Sequence, residues 1–173
     1  MDASTFTKLV YGLQVTVVTS CIFIGGLSSC LSLWVVPLTK LLPPKLAAKQ
    51  FKQTFTWGGQ YLLPSSRMLG TSLLLTTYLT SRLPEPTQAA KWKPWAACFG
   101  TLITVAPYEI YYIFPINDRV EEIGEEMESG AANEEEQKRE LQELLGKWQF
   151  RNFGRVGLPA FVGVAAMMNI IRR

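Results

Sequence analysis

LVYGLQVTVVTSCIFIGGLSSCLSLWVVPLT, residues 9–39, contains no charged side chain. This run of 31 residues, bounded by Lys8 and Lys40, exceeds the roughly 20 apolar residues needed to cross bilayer hydrocarbon as one helix. It is also longer than a signal-peptide core of about 7–15 residues and lacks an obvious cleavage site. It therefore reads as a retained membrane helix over about 9–37. Gly25, Gly26, Ser28, Ser29, Cys30 and Ser32 form overlapping small-x-x-x-small pairs, which let a neighbouring helix approach closely.

The rest of the 173-residue chain follows the same partition, and the length suits a single integral membrane domain, 1–173. Beyond Pro43-Pro44, residues 45–56 place Leu46, Ala47, Phe51 and Phe55 on one helical face against Lys45, Lys49 and Lys52. That pattern predicts a short interfacial helix with its lysines toward headgroups or water. Further spans are expected at about 57–81 and 94–116, each interrupted by one charge and one proline: Arg67 with Pro64, and Glu109 with Pro107. From Asn117 the chain turns acidic, with most of its fourteen acids between Glu121 and Glu143. Val120, Ile123 and Met127, then Leu141, Leu144, Leu145 and Trp148, recur at helical spacing around a break at 129–133, which predicts an acidic extramembrane hairpin over about 117–150. Its second arm continues into a fourth span, about 152–171, ended by Arg172-Arg173. The expected fold class is all-α, a four-transmembrane-helix bundle in a multi-pass membrane protein.

Composition excludes much chemistry. The chain has no histidine, so it cannot by itself build Ser-His or Cys-His nucleophilic sites, His-ligated haem or the usual zinc sites. Cys21, Cys30 and Cys98 lie in apolar stretches without a C-x-x-C spacing and read as small membrane-core residues, with no metal site and no cofactor expected. A dispersed net charge of +3 gives no basis for nucleic-acid binding. The expected partner is the lipid bilayer, and a homo-oligomer is compatible with the pattern.

Depth along the helices brings the two intramembrane charges together. Arg67 lies about 15 Å inside Trp57, and Glu109 about 12 Å inside Asn117, measured from the same face at 1.5 Å per residue. Charges at that depth cost several kcal/mol unless paired or hydrated, so an Arg67–Glu109 pair is the economical expectation. Pro64 and Pro107 should free the carbonyls of Gln60 and Ile103 at the same level. Tyr108, Glu109 and Tyr112 share a face, as do Trp57, Tyr61 and Pro64, and as do Trp148, Asn152 and Arg155. These series predict a pocket floored by Arg67 and Glu109, walled by Tyr61, Tyr108 and Tyr112, and rimmed by Asn117, Asn152 and Arg155. Such a pocket suits a flat, phenolic, membrane-soluble molecule. Trp57 and Trp148 also fit belt anchors at an interface.

The order of landmarks resembles the anthrone oxygenase-like family of small four-helix membrane proteins. The residues that carry the resemblance are Trp34-Val35-Val36-Pro37, Trp57-x-x-x-Tyr61-x-x-Pro64, Phe114-Pro115-Ile116-Asn117-Asp118-Arg119 and Leu145-x-x-Trp148-x-x-x-Asn152-x-x-Arg155. Asn117, Arg119, Trp148, Asn152 and Arg155 match the recurring pattern, whereas Arg67 and Glu109 come from the depth argument alone. The resemblance implies a membrane protein of fungal or bacterial aromatic polyketide metabolism, in a eukaryote an endoplasmic reticulum protein, oxidising an anthrone to an anthraquinone with molecular oxygen. In that reading the lipophilic aromatic substrate is deprotonated by Glu109, with Tyr112 the phenolic alternative, and Arg67 or Arg155 stabilises the oxyanion. A membrane cyclase or isomerase would use the same pocket without oxygen, and a non-catalytic membrane adaptor would use the acidic hairpin to dock a partner. A channel is the weakest alternative, because one acid and one base per chain make no selective ring.

Overall fold

A computed structural model describes residues 2–130 and 133–171, and among them every regular element is helical. Ala131 and Ala132 of the expected break, and Arg172-Arg173 expected to end the last span, lie outside the described residues. In chain order the elements are α1 (Ala3–Cys30), a π-helical turn (Leu31–Val35), α2 (Val36–Thr39), α3 (Pro44–Ser81), α4 (Pro86–Ala89), α5 (Trp92–Ile103), α6 (Val105–Tyr108), a second π-helical turn (Glu109–Ile113), α7 (Phe114–Ser129) and α8 (Glu134–Ile171). They form four long rods. Three of these, Ala3–Thr39, Pro86–Ser129 and Glu134–Ile171, are long and apolar enough to cross a membrane. The fourth, α3, is long enough but carries a more polar composition.

The rods pack around two cores. At one end Val17, Val18 and Cys21 of α1 meet Leu69 and Leu73 of α3, Trp95 and Cys98 of α5, and Val162 and Ala166 of α8. Here α1 and α8 approach closely because glycines face across the seam. A Cβ on Gly163 would meet the Ile22 side chain at 2.9 Å, and one on Gly25 would touch the Val156 carbonyl at 3.4 Å. Of the small residues expected to admit a neighbour, Gly25, Ser28 and Ser32 are buried in this seam, whereas Gly26 faces open space. The outward surface of the rods is greasy, with Phe23, Met68, Tyr111 and Phe161 all well exposed. At the other end Val36, Ala47, Ala48, Phe51, Ile113, Ile116, Val120, Ile123, Met127, Leu141, Leu145 and Trp148 make a second core between α3, α7 and the first half of α8. The hydrophobic residues of the hairpin thus fill a packed head.

That head corrects the expected interfacial helix. Residues 45–56 are the opening turns of α3, continuous with residues 57–81. Their apolar face, Ala47, Ala48 and Phe51, is almost wholly buried against the head. Phe51 sits edge-on to Trp148 at 5.3 Å between ring centroids, and Gly124 lets α7 approach Ala48 closely. Lys52 pairs with Glu121 and, at 3.6 Å, with Glu125. An amphipathic helix needs an apolar neighbour, and protein supplies it here instead of lipid.

The π turns were not legible in advance, yet both precede a proline by one residue. Val36 N–H bonds back to the Leu31 carbonyl just before Pro37, and Phe114 N–H bonds back to the Glu109 carbonyl just before Pro115. A proline in a helix lacks a donor and clashes with the carbonyl four residues back. Widening the preceding turn by one residue accommodates that ring without ending the rod. Pro107 was expected to disturb the helix at Ile103, and α5 ends at that residue; Pro107 then falls in the first turn of α6, Val105–Tyr108, where its missing N–H leaves no helical bond unmade. At Pro64 α3 continues unbroken.

Arg119 ties the hairpin together. Its guanidinium donates to Glu140 through Nε (2.8 Å) and Nη2 (3.0 Å), and to Glu122 and Glu126 through Nη1. Gln137 donates to Glu126 at 3.0 Å. Hydrogen bonds from Gln137 and Arg119 hold the Glu126 carboxyl below its ordinary value of 4.5, and those from Arg119 do the same for Glu140. A carboxyl lowered in the folded state stabilises it above the unfolded value and loses that contribution as pH falls through the lowered folded value. The hairpin should therefore loosen below about pH 4.5. Arg119→Ala should cost it about 1 kcal/mol at neutral pH, the upper end for exposed pairs. Amide exchange at Val120–Met127 checks both: faster exchange in acid for the wild type, and already at neutral pH for the variant.

Candidate functional site

The third rod is the irregular one, and its irregularity carries the acid. After the break at Thr104 and the short α6, the π turn begins at Glu109. A π turn inserts an extra residue and so turns everything on one side of it by about 100° relative to an unbroken helix. Glu109 is thereby set between the rods, where its Oε1 pairs with Arg155 Nε of α8 at 2.6 Å, with the two side chains only 13% and 16% exposed. This replaces the expected Arg67–Glu109 pair: the ion-pair partner of Glu109 is Arg155.

Arg67 and Glu109 nevertheless line one cavity of about 530 Å³ between α3 and the third rod. Apart from Arg67 and Glu109 its walls are uncharged and largely apolar, including Leu63, Phe99, Leu102, Ile103, Ile110 and Phe114, with Ile24 and Pro159 contributed by α1 and α8. Ile103, whose carbonyl Pro107 cannot bond, is on this wall, whereas Gln60 is not. No tyrosine lines it. Tyr61 faces a separate groove of about 460 Å³ on the α1 side of α3. Trp57 is exposed on α3, which suits an interfacial anchor. Asn117 and Trp148 belong to the head, where Trp148 Nε1 donates to Asn117 Oδ1 at 2.9 Å.

Tyr108, Tyr112, Asn152 and Arg155 belong to a scaffold in which one stretch of α8, residues 149–155, grips both π turns. Toward the first, Asn152 Nδ2 donates to the Ser28 carbonyl (3.0 Å) and Ser32 Oγ (2.8 Å), and Gln149 Nε2 donates to the Ser32 carbonyl (2.8 Å). Lys40 in turn donates to Gln149 Oε1 at 2.9 Å. Toward the second, Arg155 holds Glu109 and Arg151 Nη1 donates to the Tyr112 carbonyl at 3.1 Å. The Arg151 guanidinium also lies 5.6 Å from the Tyr112 ring centroid. Tyr108 stacks on Tyr112 at 5.1 Å and donates its hydroxyl to the Arg151 carbonyl at 2.7 Å. Side chains thus reach backbone carbonyls beside each widened turn, where buried polar groups need partners, although the buried Asn152 Oδ1 has none among the described residues.

Sequence reasoning gave no site role to Gly154, Arg151 and Gln149, and gave Ser32 only that of a small packing residue. Gly154 had a signal in hindsight, a glycine immediately before the acid's partner Arg155. A Cβ there would lie 2.5 Å from the Tyr108 ring, so Tyr108 can reach Arg151 only because residue 154 has no side chain. Gly154→Ala should lower stability by about 1–3 kcal/mol through this overpacking, and should cost almost nothing in a Tyr108→Ala background. Thermal unfolding of the four proteins in detergent measures the difference.

Chemically the cavity offers a carboxylate held by an ion pair, a separate cation on another wall, and an apolar interior. That combination can bind an aromatic molecule, take a proton from it and stabilise an oxyanion. Among the described residues no three or more of His, Cys, Asp and Glu gather as a metal site would require. The family model described as anthrone oxygenase matches residues 51–165, a segment that contains Arg67, Glu109, the second π turn and Arg155. The chain belongs to the anthrone oxygenase family. Neither a curated protein nor a solved structure matches it. In this anthrone oxygenase family member, the Trp148-x-x-x-Asn152-x-x-Arg155 element supplies the grip on both π turns, and Phe114-Pro115-Ile116-Asn117-Asp118-Arg119 supplies the proline after the second π turn and the hairpin's central cation.

Proposed function

We propose that the protein is a membrane-embedded oxygenase that needs no cofactor and acts on a lipophilic aromatic polyketide of the anthrone type. The observation that carries this reading is Glu109, the one acid on the wall of a largely apolar cavity, fixed by Arg155 and accompanied by Arg67. Family membership supports the reaction class. All four rods cross the bilayer together, α3 with its 57–81 segment, and the head stands outside on one side. A hydrophobic substrate then enters the cavity sideways from the lipid, past exposed Leu63, Ile103 and Ile110.

In the reaction Glu109 takes a proton from the acidic CH₂ of the anthrone, and Arg67 stabilises the charge that moves onto the carbonyl oxygen. The carbanion adds molecular oxygen to give a peroxide anion, which takes the proton back from Glu109 and becomes the hydroperoxide. Glu109 then removes the remaining C–H proton as the new C=O forms and the O–O bond breaks, and the departing hydroxide takes that proton to leave as water. The sum is one anthrone and one O₂ giving one anthraquinone and one H₂O.

Expression in a heterologous host followed by oxygen-electrode measurements on membranes supplied with an anthrone tests the proposal. One O₂ consumed per anthraquinone, well above membranes lacking the protein, is the expected result. Product formed without oxygen uptake would instead support a cyclase or isomerase using the same cavity.

A further inference from the structure

Pairing Glu109 with Arg155 leaves the cavity's charge unbalanced. Arg67 and Glu109 are the charged residues on its walls. The carboxylate of Glu109 is neutralised from α8, and Arg67 makes no ion pair among the described residues. The cavity therefore carries one uncompensated positive charge, on the exposed side chain of Arg67; with 57–81 in the bilayer as proposed above, that exposure is to lipid, where an unpaired cation is costly. The charge faces a space of about 530 Å³, within the range that takes a drug-sized molecule. The polar side chains beside it, Ser66 and Thr71, are neutral, and among the described residues neither is hydrogen-bonded to the Arg67 guanidinium.

We infer that the cavity binds its ligand as an anion, a flat lipophilic aromatic carrying one carboxylate or ionised phenol, with Arg67 as the counter-ion. The aromatic class rests on the function proposed above; the anionic form rests on the charge count. Arg67 then acts as a specificity residue. It holds the ligand's anionic oxygen on the α3 wall and leaves the remainder of the ring system toward Glu109 on the third rod. A lipid phosphate offers the same cation a similar partner, but a headgroup would have to leave the interface to reach a pocket walled by Phe99, Leu102 and Phe114.

The test needs no turnover. Binding of anthracene carboxylate and of its neutral analogue anthracene methanol is measured by equilibrium dialysis against the purified protein in a non-ionic detergent, under nitrogen. The carboxylate should bind at least about tenfold more tightly, the worth of a hydrogen bond to a charged group. Arg67→Met should remove that preference while leaving the affinity for the carbinol unchanged, which also shows that the variant is folded. Arg67→Lys should keep most of it. Glu109→Gln should keep the preference in full even where it stops catalysis, so a failed oxygenase reading and a failed anion site give different results. Equal affinity for both probes, an unchanged preference in Arg67→Met, or displacement of the carboxylate by equimolar short-chain phosphatidylglycerol but not phosphatidylcholine would overturn the inference.

Discussion

Glu109→Gln should reduce anthrone-dependent oxygen uptake by about 10²–10⁴-fold, the usual contribution of a positioned general base, while the protein stays folded. The amide has the shape of the carboxylate and keeps an oxygen at the 2.6 Å contact with Arg155 Nε. What it lacks is the capacity to take a proton. Arg155 has a long stem and lies one turn from Arg151, near the head, so its charge can shift toward water without unpacking the rods. Tyr112→Phe should have a smaller effect, since the Tyr112 ring stacks on Tyr108 and lies outside the cavity. Uptake measured alongside thermal unfolding separates lost chemistry from lost fold. Wild-type uptake in Glu109→Gln would remove Glu109 from the mechanism.

How much of this could be read from the chain depends on which physical quantity each feature needs. Rise per residue fixes depth, and depth alone brought Arg67 and Glu109 to one level; both do line the same cavity. Azimuth around the helix decides pairing, and azimuth was hidden, because the π turn that begins at Glu109 changes the register by about one residue. The apolar face of residues 45–56 was correctly periodic but misassigned, since Ala47, Ala48 and Phe51 satisfy the same hydrophobic demand whether lipid or the head core covers them. Small residues in α1 announced a close neighbour but not which one; α8 supplies it through Gly163 and Asn152. The tyrosine walls failed for a different reason. Tyr108 has a better use for its hydroxyl, on the Arg151 carbonyl, than the cavity provides. Trp148 and Asn117, whose motif positions suggested a rim, satisfy each other inside the head.

Arg155→Leu should destabilise the detergent-purified protein by about 3–5 kcal/mol, because removing one member of a shielded ion pair strands the other. Among the described residues Glu109 has no second cation in contact, and at 13% exposure it has little access to water. The double variant Arg155→Leu/Glu109→Leu should recover most of the loss, since replacing both charges with apolar side chains of similar size removes the stranded group. Arg67→Leu provides the contrast. Arg67 has no carboxylate to strand, and its removal deletes the cavity's unbalanced charge, so the ligand-free protein should be unchanged or more stable. Had Arg67 been the partner of Glu109, its loss would carry the penalty instead and Arg155→Leu would be mild. Thermal unfolding of the three single and double variants against wild type therefore reads the pairing directly. A larger loss from Arg67→Leu than from Arg155→Leu would place the ion pair on α3 and, with it, cancel the charge imbalance from which an anionic ligand was inferred.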